Sequence, residues 1–386
     1  MRISKLHAKA FKSIMDLEIK LDPQITVIIG PNESGKTNLL RSFEAFNSSC
    51  TLSKEDTCQY SPYYNDDKYP EISIEYSDIN PKVRGILGDI SPKLKECSSF
   101  EVHRVGPLAN DYQLKIDDKI IPIKDCAKLL KLLPQNIYFS KIPLIKSKVH
   151  LNELQSSGSQ FQGERDLLII GGVEDFKVIF EDSTKGRRRR EEVSRFLTEQ
   201  IREVWSQDPT LEIKLNVNGD LLHIDISDET TVFDNTETRS LGFSWFLSFY
   251  VVFMTQTLNK RKANCIYLIE EPGIHLHPSG QKDLVRLLEI LSQKNQIIYT
   301  THSPFMINRA HPQRVRLVSK TKNGTEVDHE AYRENWKPLR SSIGVMVGDL
   351  FFFGNSGVLL EVPTKKVPFM NRMLSMRLWG QEENKN

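Results

Sequence analysis

A glycine-rich loop between a predicted strand and a predicted helix constrains this chain more than any other feature. The β-branched run Ile25–Ile29 stops at Gly30, and the letters GPNESGKT that begin there fit the pattern G-x-x-x-x-G-K-[ST]. Glycines at the two fixed positions allow backbone angles that are closed to other residues, so successive N–H groups point into one concavity at the start of a helix. The pattern predicts a phosphate-binding loop.

Separate tasks are predicted for the residues of this loop. Lys36 is expected to reach the β- and γ-phosphates of a nucleotide, and the Thr37 hydroxyl is expected to ligate Mg²⁺. The predicted nucleotide-binding residues are Gly30, Pro31, Asn32, Glu33, Ser34, Gly35, Lys36, Thr37 and Asn38.

The composition is that of an ordinary globular protein, with 386 residues of which 39% are hydrophobic and 26% charged. A formal net charge of +2 neither requires nor excludes nucleic acid, so any basic surface must be local. The five cysteines lack zinc or C-x-x-C spacing, which favours a reduced, cytoplasmic location. The most apolar run, residues 243–254, is too short to span a bilayer. We therefore expect a buried helix there and no membrane partner.

Two predicted strands, at residues 2–9 and 15–21, precede the phosphate loop. This arrangement, AKAFKSI followed by VIIGPNESGKT, resembles the head domains of ABC-type ATPases of the RecF, SMC and OLD (overcoming lysogenisation defect) groups. The resemblance implies ATP and Mg²⁺ as cofactors. It also implies a γ-phosphate-sensing glutamine near a brief strand predicted at 136–139, for which Gln135 is the nearest candidate.

Antiparallel β structure is predicted in two places. Residues 51–118 are strand-like with polar interruptions, which indicates a sheet flanking the nucleotide pocket. Residues 211–217 and 221–226 alternate around Asn218-Gly219, which predicts a hairpin with a type I′ turn.

The stretch 145–210 is polar and rich in charge. SMC-like ATPases have a long coiled coil at this connection, but no heptads are sustained here, so we expect a compact helical lobe. Four consecutive arginines, 187–190, open a helical pattern that runs to about residue 205. They suit either contact with DNA phosphates or a solvated helix face.

A serine precedes the apolar helix in the string RSLGFSWFLSF, and on its own this predicts a helix cap. The string closely matches the OLD-family form of the ABC signature motif, which is itself a helix N-terminus, so both interpretations can hold. The resemblance implies that Ser240 and Gly242 contact the γ-phosphate of a nucleotide held by the opposite subunit. A head-to-tail homodimer, or a larger assembly of such dimers, is therefore expected.

Two carboxylates end the apolar strand Cys265–Ile269, in an arrangement that resembles a Walker B motif. Glu270 is the predicted Mg²⁺ ligand, and Glu271 is the predicted general base that activates the attacking water. The first position is usually aspartate, and glutamate is one methylene longer, which alters the metal geometry.

The next two strings complete the resemblance. GIHLHP, residues 273–278, looks like the OLD-type D-loop, and this, with no cysteine or further histidine nearby, argues against metal binding by its two histidines. TTHSPF, residues 300–305, matches the switch-histidine segment, which implies that His302 contacts the γ-phosphate.

OLD-family enzymes continue into a Toprim nuclease domain, and GVLLEVPTKK, residues 357–366, resembles its start. Val362 stands where a glycine is expected, and Lys365 stands where the second carboxylate is expected. Glu361 alone cannot hold the two cations that phosphodiester cleavage needs. We expect a truncated Toprim-like tail, with any nuclease or effector supplied by another chain.

The predicted fold is α/β, a P-loop ABC-type ATPase head with a mixed sheet, an antiparallel flank and a short helical insertion. The predicted domains are an N-terminal ATPase lobe (1–144), a helical insertion and dimerisation region (145–210), a C-terminal ATPase lobe (211–342) and the Toprim-like tail (343–386).

The predicted function is an ATPase that forms nucleotide-dependent dimers and acts on DNA in phage defence or repair. One alternative is an ATP-gated DNA sensor or scaffold that turns over slowly and regulates an effector in trans. Another is an ATP-dependent DNA endonuclease whose complete Toprim domain lies outside this chain.

Overall fold

The computed structural model describes residues 1–64, 68–108, 111–117, 119–121, 126–156, 158–229, 232–233, 240–258, 265–333, 336–337 and 339. All of them lie in one compact unit, Met1–Gly344. A second unit, Val345–Asn386, holds the predicted Toprim-like segment and lies outside the described residues. No helix in the described ranges is long and apolar enough to cross a membrane.

The described chain contains both strands and helices, several of them in consecutive runs of one kind. The strands are β1 (Arg2–Phe11), β2 (Ile14–Lys20), β3 (Ile25–Ile29), β4 (Glu71–Ser77), β5 (Phe100–Arg104), β6 (Tyr112–Ile116), β7 (Lys119–Ile121), β8 (Gln135–Phe139), β9 (Lys148–His150), β10 (Glu212–Asn218), β11 (Leu221–Ser227), β12 (Val232–Phe233), β13 (Cys265–Ile269), β14 (Gln296–Thr301), β15 (Val315–Thr321) and β16 (Gly324–Asp328). The helices are α1 (Lys36–Ala45), α2 (Pro81–Ile90), α3 (Lys93–Glu96), α4 (Cys126–Leu132), α5 (Leu151–Gln155), α6 (Gln162–Ile170), α7 (Lys177–Phe180), α8 (Thr184–Val204), α9 (Leu241–Leu258) and α10 (Pro278–Ser292).

One mixed sheet organises the molecule. Its order is β7-β6-β5-β4-β1-β2-β16-β15-β3-β14-β13-β8. The strands β15, β3, β14, β13 and β8 run parallel, and the others pair antiparallel. Every residue of β3, β13 and β14 is buried, as expected for parallel strands covered on both faces. The predicted α/β class with a mixed sheet and an antiparallel flank is confirmed.

Each face of the sheet is covered by its own hydrophobic core. Ile28 of β3 joins the core that contains the apolar side chains of α1, α2 and α4. Val27 and Ile29 join the other core, with those of α6, α8, α9 and α10. Because successive strand residues point to opposite faces, neighbouring residues just beyond a strand are also directed to different sides of the sheet.

Helices α2 and α3 lie within residues 51–118, where the sequence analysis predicted strands separated by polar interruptions and no helix, so the prediction missed these two helices. The Asn80 side chain accepts a hydrogen bond from Lys82 N at 2.9 Å, and Pro81 occupies the first helical position. An asparagine cap followed by proline is a recognised helix start, and this signal outweighed the strand-like neighbours.

The hairpin forms where predicted, but its turn lies one residue later. Asn218 pairs with Leu221 as part of β10, so the loop is Gly219-Asp220. Only the glycine of this pair has a positive φ (63°), whereas a type I′ turn requires positive φ at both positions. The hairpin forms a second sheet with β9 and β12 and packs on α8, where Ile213 N donates to Thr198 Oγ1 at 2.9 Å.

Candidate nucleotide-binding site

The phosphate loop connects β3 to α1, and of its two fixed glycines Gly35 has the left-handed backbone that the sequence predicts, whereas Gly30 has no positive φ. Gly35 has a φ of 102° and Glu33 a φ of 61°, both in the left-handed region. A Cβ at Gly30 would lie 2.1 Å from the Val318 carbonyl oxygen, and one at Gly35 would lie 2.1 Å from Thr325 Oγ1. Side chains at these two positions would therefore displace the neighbouring strands β15 and β16.

Lys36 is buried within the loop. Its Nζ donates to the carbonyl oxygens of Gly30 at 3.0 Å and Pro31 at 2.8 Å, and it lies 3.2 Å from His302 Nδ1. Burial lowers the pKa of Lys36, and the two carboxylates that follow β13 act in the opposite direction. Phosphate oxygens are stronger acceptors than carbonyls for an ammonium group held at this place.

The other loop residues divide into exposed and buried positions. Pro31, Asn32 and Glu33 are exposed, whereas Ser34 is buried. The Ser34 hydroxyl has no hydrogen-bond partner in the described part of the chain. An orphaned donor in a phosphate loop fits a site that receives an anionic ligand. Asn38 is directed to the β1–β2 turn, where its Nδ2 donates to Ser13 Oγ at 2.9 Å.

The two carboxylates after β13 point to opposite sides of the sheet, as residues in sequence at a strand end do. Glu270 faces α1, where its Oε1 accepts a hydrogen bond from the Thr37 hydroxyl and its Oε2 accepts one from the Tyr138 hydroxyl. The structure thus brings together the two predicted metal ligands, Thr37 and Glu270. Hydroxyl and carboxylate oxygens are the hard ligands that Mg²⁺ prefers, so the donor set fits that ion.

Tyr138 is a site residue that the sequence analysis missed. Its position depends on the pairing of β8 with β13, which places it beside Leu268, two residues before Glu270. Burial raises the pKa of Tyr138 to about 12, with the hydrogen bond to Glu270 adding to the shift. The Arg41 guanidinium lies 5.8 Å from the centre of its ring.

Replacing Tyr138 by phenylalanine should weaken metal binding. The variant Tyr138→Phe leaves Glu270 Oε2 without its hydrogen-bond donor. Losing such a partner of a metal ligand typically costs about 10- to 100-fold in metal affinity. Electron paramagnetic resonance of Mn²⁺ in the presence of ADP measures that affinity directly. Tyr112→Phe is the matched control, because Tyr112 donates to the Phe46 carbonyl at 2.6 Å. Equal Mn²⁺ affinity in both variants would contradict a role for Tyr138.

Glu271 and the switch histidine are in direct contact. The Glu271 Oε2 accepts a hydrogen bond from His302 N at 3.1 Å, and His302 Nε2 lies 2.8 Å from Oε1 as an ion-pair contact without the alignment of a hydrogen bond. Glu271 has a φ of 45°, and its N–H donates to Thr300 Oγ1 at 3.0 Å. Burial raises the pKa of Glu271, while His302 and Lys36 oppose that shift. A raised pKa is common for a carboxylate that acts as a base.

His302 also reaches the phosphate loop. Thr301 pairs with Ile29, which puts the next residue of each strand side by side, and His302 Nδ1 lies 3.0 Å from Gly30 O. The same imidazole therefore contacts the general-base candidate and the loop that would hold the phosphates.

The residues of the signature string lie at the start of α9. Ser240 Oγ accepts a hydrogen bond from Phe243 N at 3.3 Å, which confirms the predicted cap. A Cβ at Gly242 would lie 2.9 Å from the His275 carbonyl oxygen, so the signature string packs against the D-loop string. The contact of Ser240 and Gly242 with a partner's phosphate stays a prediction.

Gln135 is wrongly placed for a γ-phosphate sensor. It pairs with Cys265 at the amino end of the parallel strands, whereas Phe139, at the other end of β8, pairs with Ile269 beside the carboxylates. Four residues of strand separate the two ends by about 13 Å. The sequence alone did not show that β8 runs parallel to β13, which puts the first residue of β8 far from the site.

Comparison with known proteins places these features in context. The profile of the AAA ATPase domain family matches residues 1–209 and 237–307, well over half of the chain. The OLD nuclease of Thermus scotoductus is 22% identical over 83% of this chain, and the Old nuclease of Escherichia phage P2 is 32% identical over 26%. An uncharacterised protein of Methanocaldococcus jannaschii is 27% identical over 38%. The matches cover 62%, 17% and 40% of those relatives, so the chain spans less than two thirds of their length.

Solved structures give the same fold. An Smc head bound to the C-winged helix domain of ScpA matches 85% of this chain and 97% of its own, with a TM-score of 0.52 and 18% identity. An Smc head domain with an extended coiled coil, bound to the C-terminal domain of ScpA derived from Pyrococcus furiosus, matches 85% and 96%, with a TM-score of 0.50 and 18% identity. At this identity the likeness concerns the fold alone.

Proposed function

This chain belongs to the AAA ATPase domain family, and from that premise we propose that it binds ATP with Mg²⁺, assembles with a second copy and hydrolyses the nucleotide. One observation carries the proposal. Lys36, Thr37, Glu270, Glu271 and His302 come from three separate segments and form a continuous set of contacts at the carboxyl ends of neighbouring parallel strands.

Each of these side chains has a task in hydrolysis. Lys36 stabilises the charge that develops on the phosphates, while Thr37 and Glu270 would hold Mg²⁺, which when bound offsets that charge as well. Glu271 accepts the proton of the attacking water. His302 holds the Glu271 carboxylate in place and lies against the loop that receives the γ-phosphate.

A homodimer, alone or within a larger assembly, is supported by two exposed apolar side chains beside the motifs that are proposed to act in trans. Leu241 lies within the signature string and is 53% exposed, and Ile274 lies within the D-loop string and is 66% exposed. The two strings are packed together at Gly242. Neighbouring exposed apolar groups of this kind suit an interface with a second copy, in which each phosphate loop meets the partner's Ser240.

A charge on this surface should prevent assembly and leave nucleotide binding intact. We expect Leu241→Glu and Ile274→Glu each to abolish the ATP-dependent increase in mass measured by light scattering, because a buried unpaired carboxylate opposes association. Fluorescent ATP should bind both variants with the affinity of the wild type. Ile290→Glu is the matched control, since Ile290 is equally exposed at 53% on α10. An equal loss of assembly in all three variants would argue against this surface.

DNA is the proposed ligand of the assembled form, in phage defence or repair, and it rests on family analogy. The arginine run supports it only in part. Arg189 Nη2 donates to the Gly172 carbonyl at 2.5 Å, and Arg190 Nη1 donates to the Ile179 carbonyl at 2.6 Å, so these two attach α8 to its neighbours. Arg187 and Arg188 are exposed; Arg187 forms an ion pair with Asp182, just before α8, and Arg188 forms one with Glu192 within the helix. They are the two members of the run with a side chain directed to solvent.

A nuclease or other effector in trans is part of the proposal, and so is a cytoplasmic location, which suits cysteines without a pairing pattern. A slow ATP-gated sensor on DNA is the second candidate. It is favoured by the arginine run, in which two side chains bind backbone carbonyls and two are left exposed to solvent. A turnover rate that rises on adding duplex DNA would favour the sensor. Plasmid nicking by the purified chain with Mg²⁺ or Mn²⁺ would instead favour an endonuclease.

The proposed function is tested with the full chain. Phosphate release and light scattering are recorded with ATP and Mg²⁺, with and without duplex DNA. We expect turnover together with a mass increase that requires ATP. Absence of hydrolysis in every condition would overturn the ATPase proposal, and hydrolysis by a monomer would overturn the site formed in trans.

A further inference from the structure

A buried glutamine outside the recognised motifs connects two of them. Gln281 lies in the first turn of α10 and is 8% exposed. Its Nε2 donates to the carbonyl oxygens of Gly273 at 3.0 Å and Leu276 at 3.2 Å, and its Oε1 accepts a hydrogen bond from Ser303 Oγ at 2.5 Å. Both amide protons and the amide oxygen are thus used, and each has a defined partner.

The partners of Gln281 belong to segments with different tasks. Gly273 and Leu276 lie in the D-loop string, which carries the exposed Ile274 and packs against the signature string through His275. Ser303 directly follows His302 in the switch segment. One side chain therefore joins the backbone of the proposed partner-facing loop to the residue next to the proposed γ-phosphate contact.

The packing around Gln281 leaves little room for the two segments to move separately. Gly273 has a φ of 82°, and a Cβ placed on it would lie 3.5 Å from Gln281 Cγ and 3.2 Å from Met306 Sδ. Ser303 Oγ also accepts a hydrogen bond from Phe305 N at 3.3 Å, which holds the turn after the histidine. The Gln281 amide is thus a direct hydrogen-bonded link between the D-loop string and the turn that follows His302.

We infer that Gln281 is a positioning residue that couples the switch segment to the D-loop, so that a γ-phosphate at His302 orders the surface that meets the second subunit. This inference rests on the proposed function for the identity of that surface. Within the described part of the chain, the hydrogen bonds of the Gln281 side chain go to Gly273, Leu276 and Ser303, and none goes to the phosphate loop or to Glu271. Its effect is on the response to nucleotide, and nucleotide affinity is expected to change little.

Two substitutions at Gln281 remove different sets of its hydrogen bonds, those to the D-loop carbonyls and the one from Ser303. Gln281→Met has a similar length and removes all three hydrogen bonds. Gln281→Glu keeps an acceptor for the Ser303 hydroxyl, but its carboxylate cannot donate to the two D-loop carbonyls. Asn295→Leu is the matched control, because Asn295 is also a buried amide, and among the described residues its Nδ2 donates to Leu291 O of α10 at 3.3 Å, away from both motifs.

Hydrogen–deuterium exchange of the full chain, with and without ATPγS and Mg²⁺, tests the coupling at a protein concentration too low for assembly. In the wild type and in Asn295→Leu we expect ATPγS to protect residues 30–38, 302–305 and 273–277. In Gln281→Met and Gln281→Glu we expect protection of the first two segments, ATPγS affinity within about threefold of the wild type, and no protection of 273–277. Light scattering at higher concentration should then show no ATPγS-dependent mass increase for these two variants.

The outcomes distinguish the coupling from the proposed assembly. Protection of 273–277 in Gln281→Met equal to that in the wild type would overturn the inference, and so would a wild-type D-loop that ATPγS does not protect. A wild-type chain that protects its D-loop but stays monomeric at every concentration would refute the proposed assembly and leave the coupling standing.

Discussion

Glu271→Gln should reduce ATP turnover by about 10²- to 10⁴-fold, which is the usual contribution of a general base. Glutamine has the same shape, so the hydrogen bond from His302 N and the left-handed backbone at this position can be retained. ATP is then bound but not cleaved. We expect the variant to accumulate the ATP-bound assembly, visible as a lasting mass increase by light scattering.

The same variant should be no less stable than the wild type. Burial raises the folded-state pKa of Glu271 above its ordinary value of 4.5, so the native state binds the proton more tightly than the unfolded chain. The stability that this group contributes therefore falls as the pH rises from 4.5 through the raised pKa, and at pH 8 the ionised carboxylate opposes folding. The neutral amide removes that effect, and we expect a melting temperature at pH 8 equal to or above that of the wild type.

Glu199→Gln, on the exposed side of α8, is the control for both measurements. It should leave turnover and melting temperature unchanged. Wild-type turnover in Glu271→Gln would show that another group activates the water. Lost turnover with a lower melting temperature would instead indicate that the carboxylate is needed for the fold.

Two inactive variants should restore activity when mixed, if each active site is shared between subunits. Lys36→Met disables the phosphate loop and leaves the signature string intact. Ser240→Asp does the opposite, because aspartate still caps α9 but places a negative charge where the partner's γ-phosphate is expected. Each variant alone should lack turnover, since every site in its homodimer has one defective half.

A heterodimer of the two contains one site with an intact loop and an intact signature string. In an equal mixture half of the dimers are mixed and each has one of two sites working, so turnover should recover to about a quarter of the wild-type rate. In the control mixture, Lys185→Met replaces Lys36→Met, because Lys185 is an exposed residue of α8. The difference in turnover between the two mixtures shows how much activity an intact phosphate loop supplies. No recovery in the mixture of inactive variants would contradict independent sites formed in trans.

The resemblance to OLD and SMC head ATPases was visible in the sequence because its motifs are local. The phosphate loop requires a strand, two glycines, a lysine and a hydroxyl within thirteen consecutive residues, and the structure forms it there, between β3 and α1. The same holds for α9 and β13, whose apolar runs are long enough to be recognised without any partner. The domain limits, which depend on contacts between distant segments, remain predictions.

Local patterns also misled where two signals competed. Strand-like alternation concealed the Asn80–Pro81 helix start, and Asn218-Gly219 suggested a turn that the strand register moved by one residue. In the arginine run, the sequence showed the charge but not that Arg189 and Arg190 are used as donors to backbone carbonyls. In these cases a neighbour contributed by tertiary packing determined the outcome.

By itself the sequence determined the fold class and the order of the motifs, since the spacing of glycines, apolar runs and carboxylates along the chain dictates both. Only the tertiary structure decided which side chains outside the motifs form hydrogen bonds with the motif residues. Tyr138 reaches Glu270 from 132 residues away, and Gln281 joins Gly273 to Ser303, because parallel strands and the helix between them bring these segments to one edge of the sheet. The same strand register places Gln135 at the opposite edge of the sheet, beside Cys265. Strand register between distant segments follows from the packing of the whole core, and no local spacing encodes it.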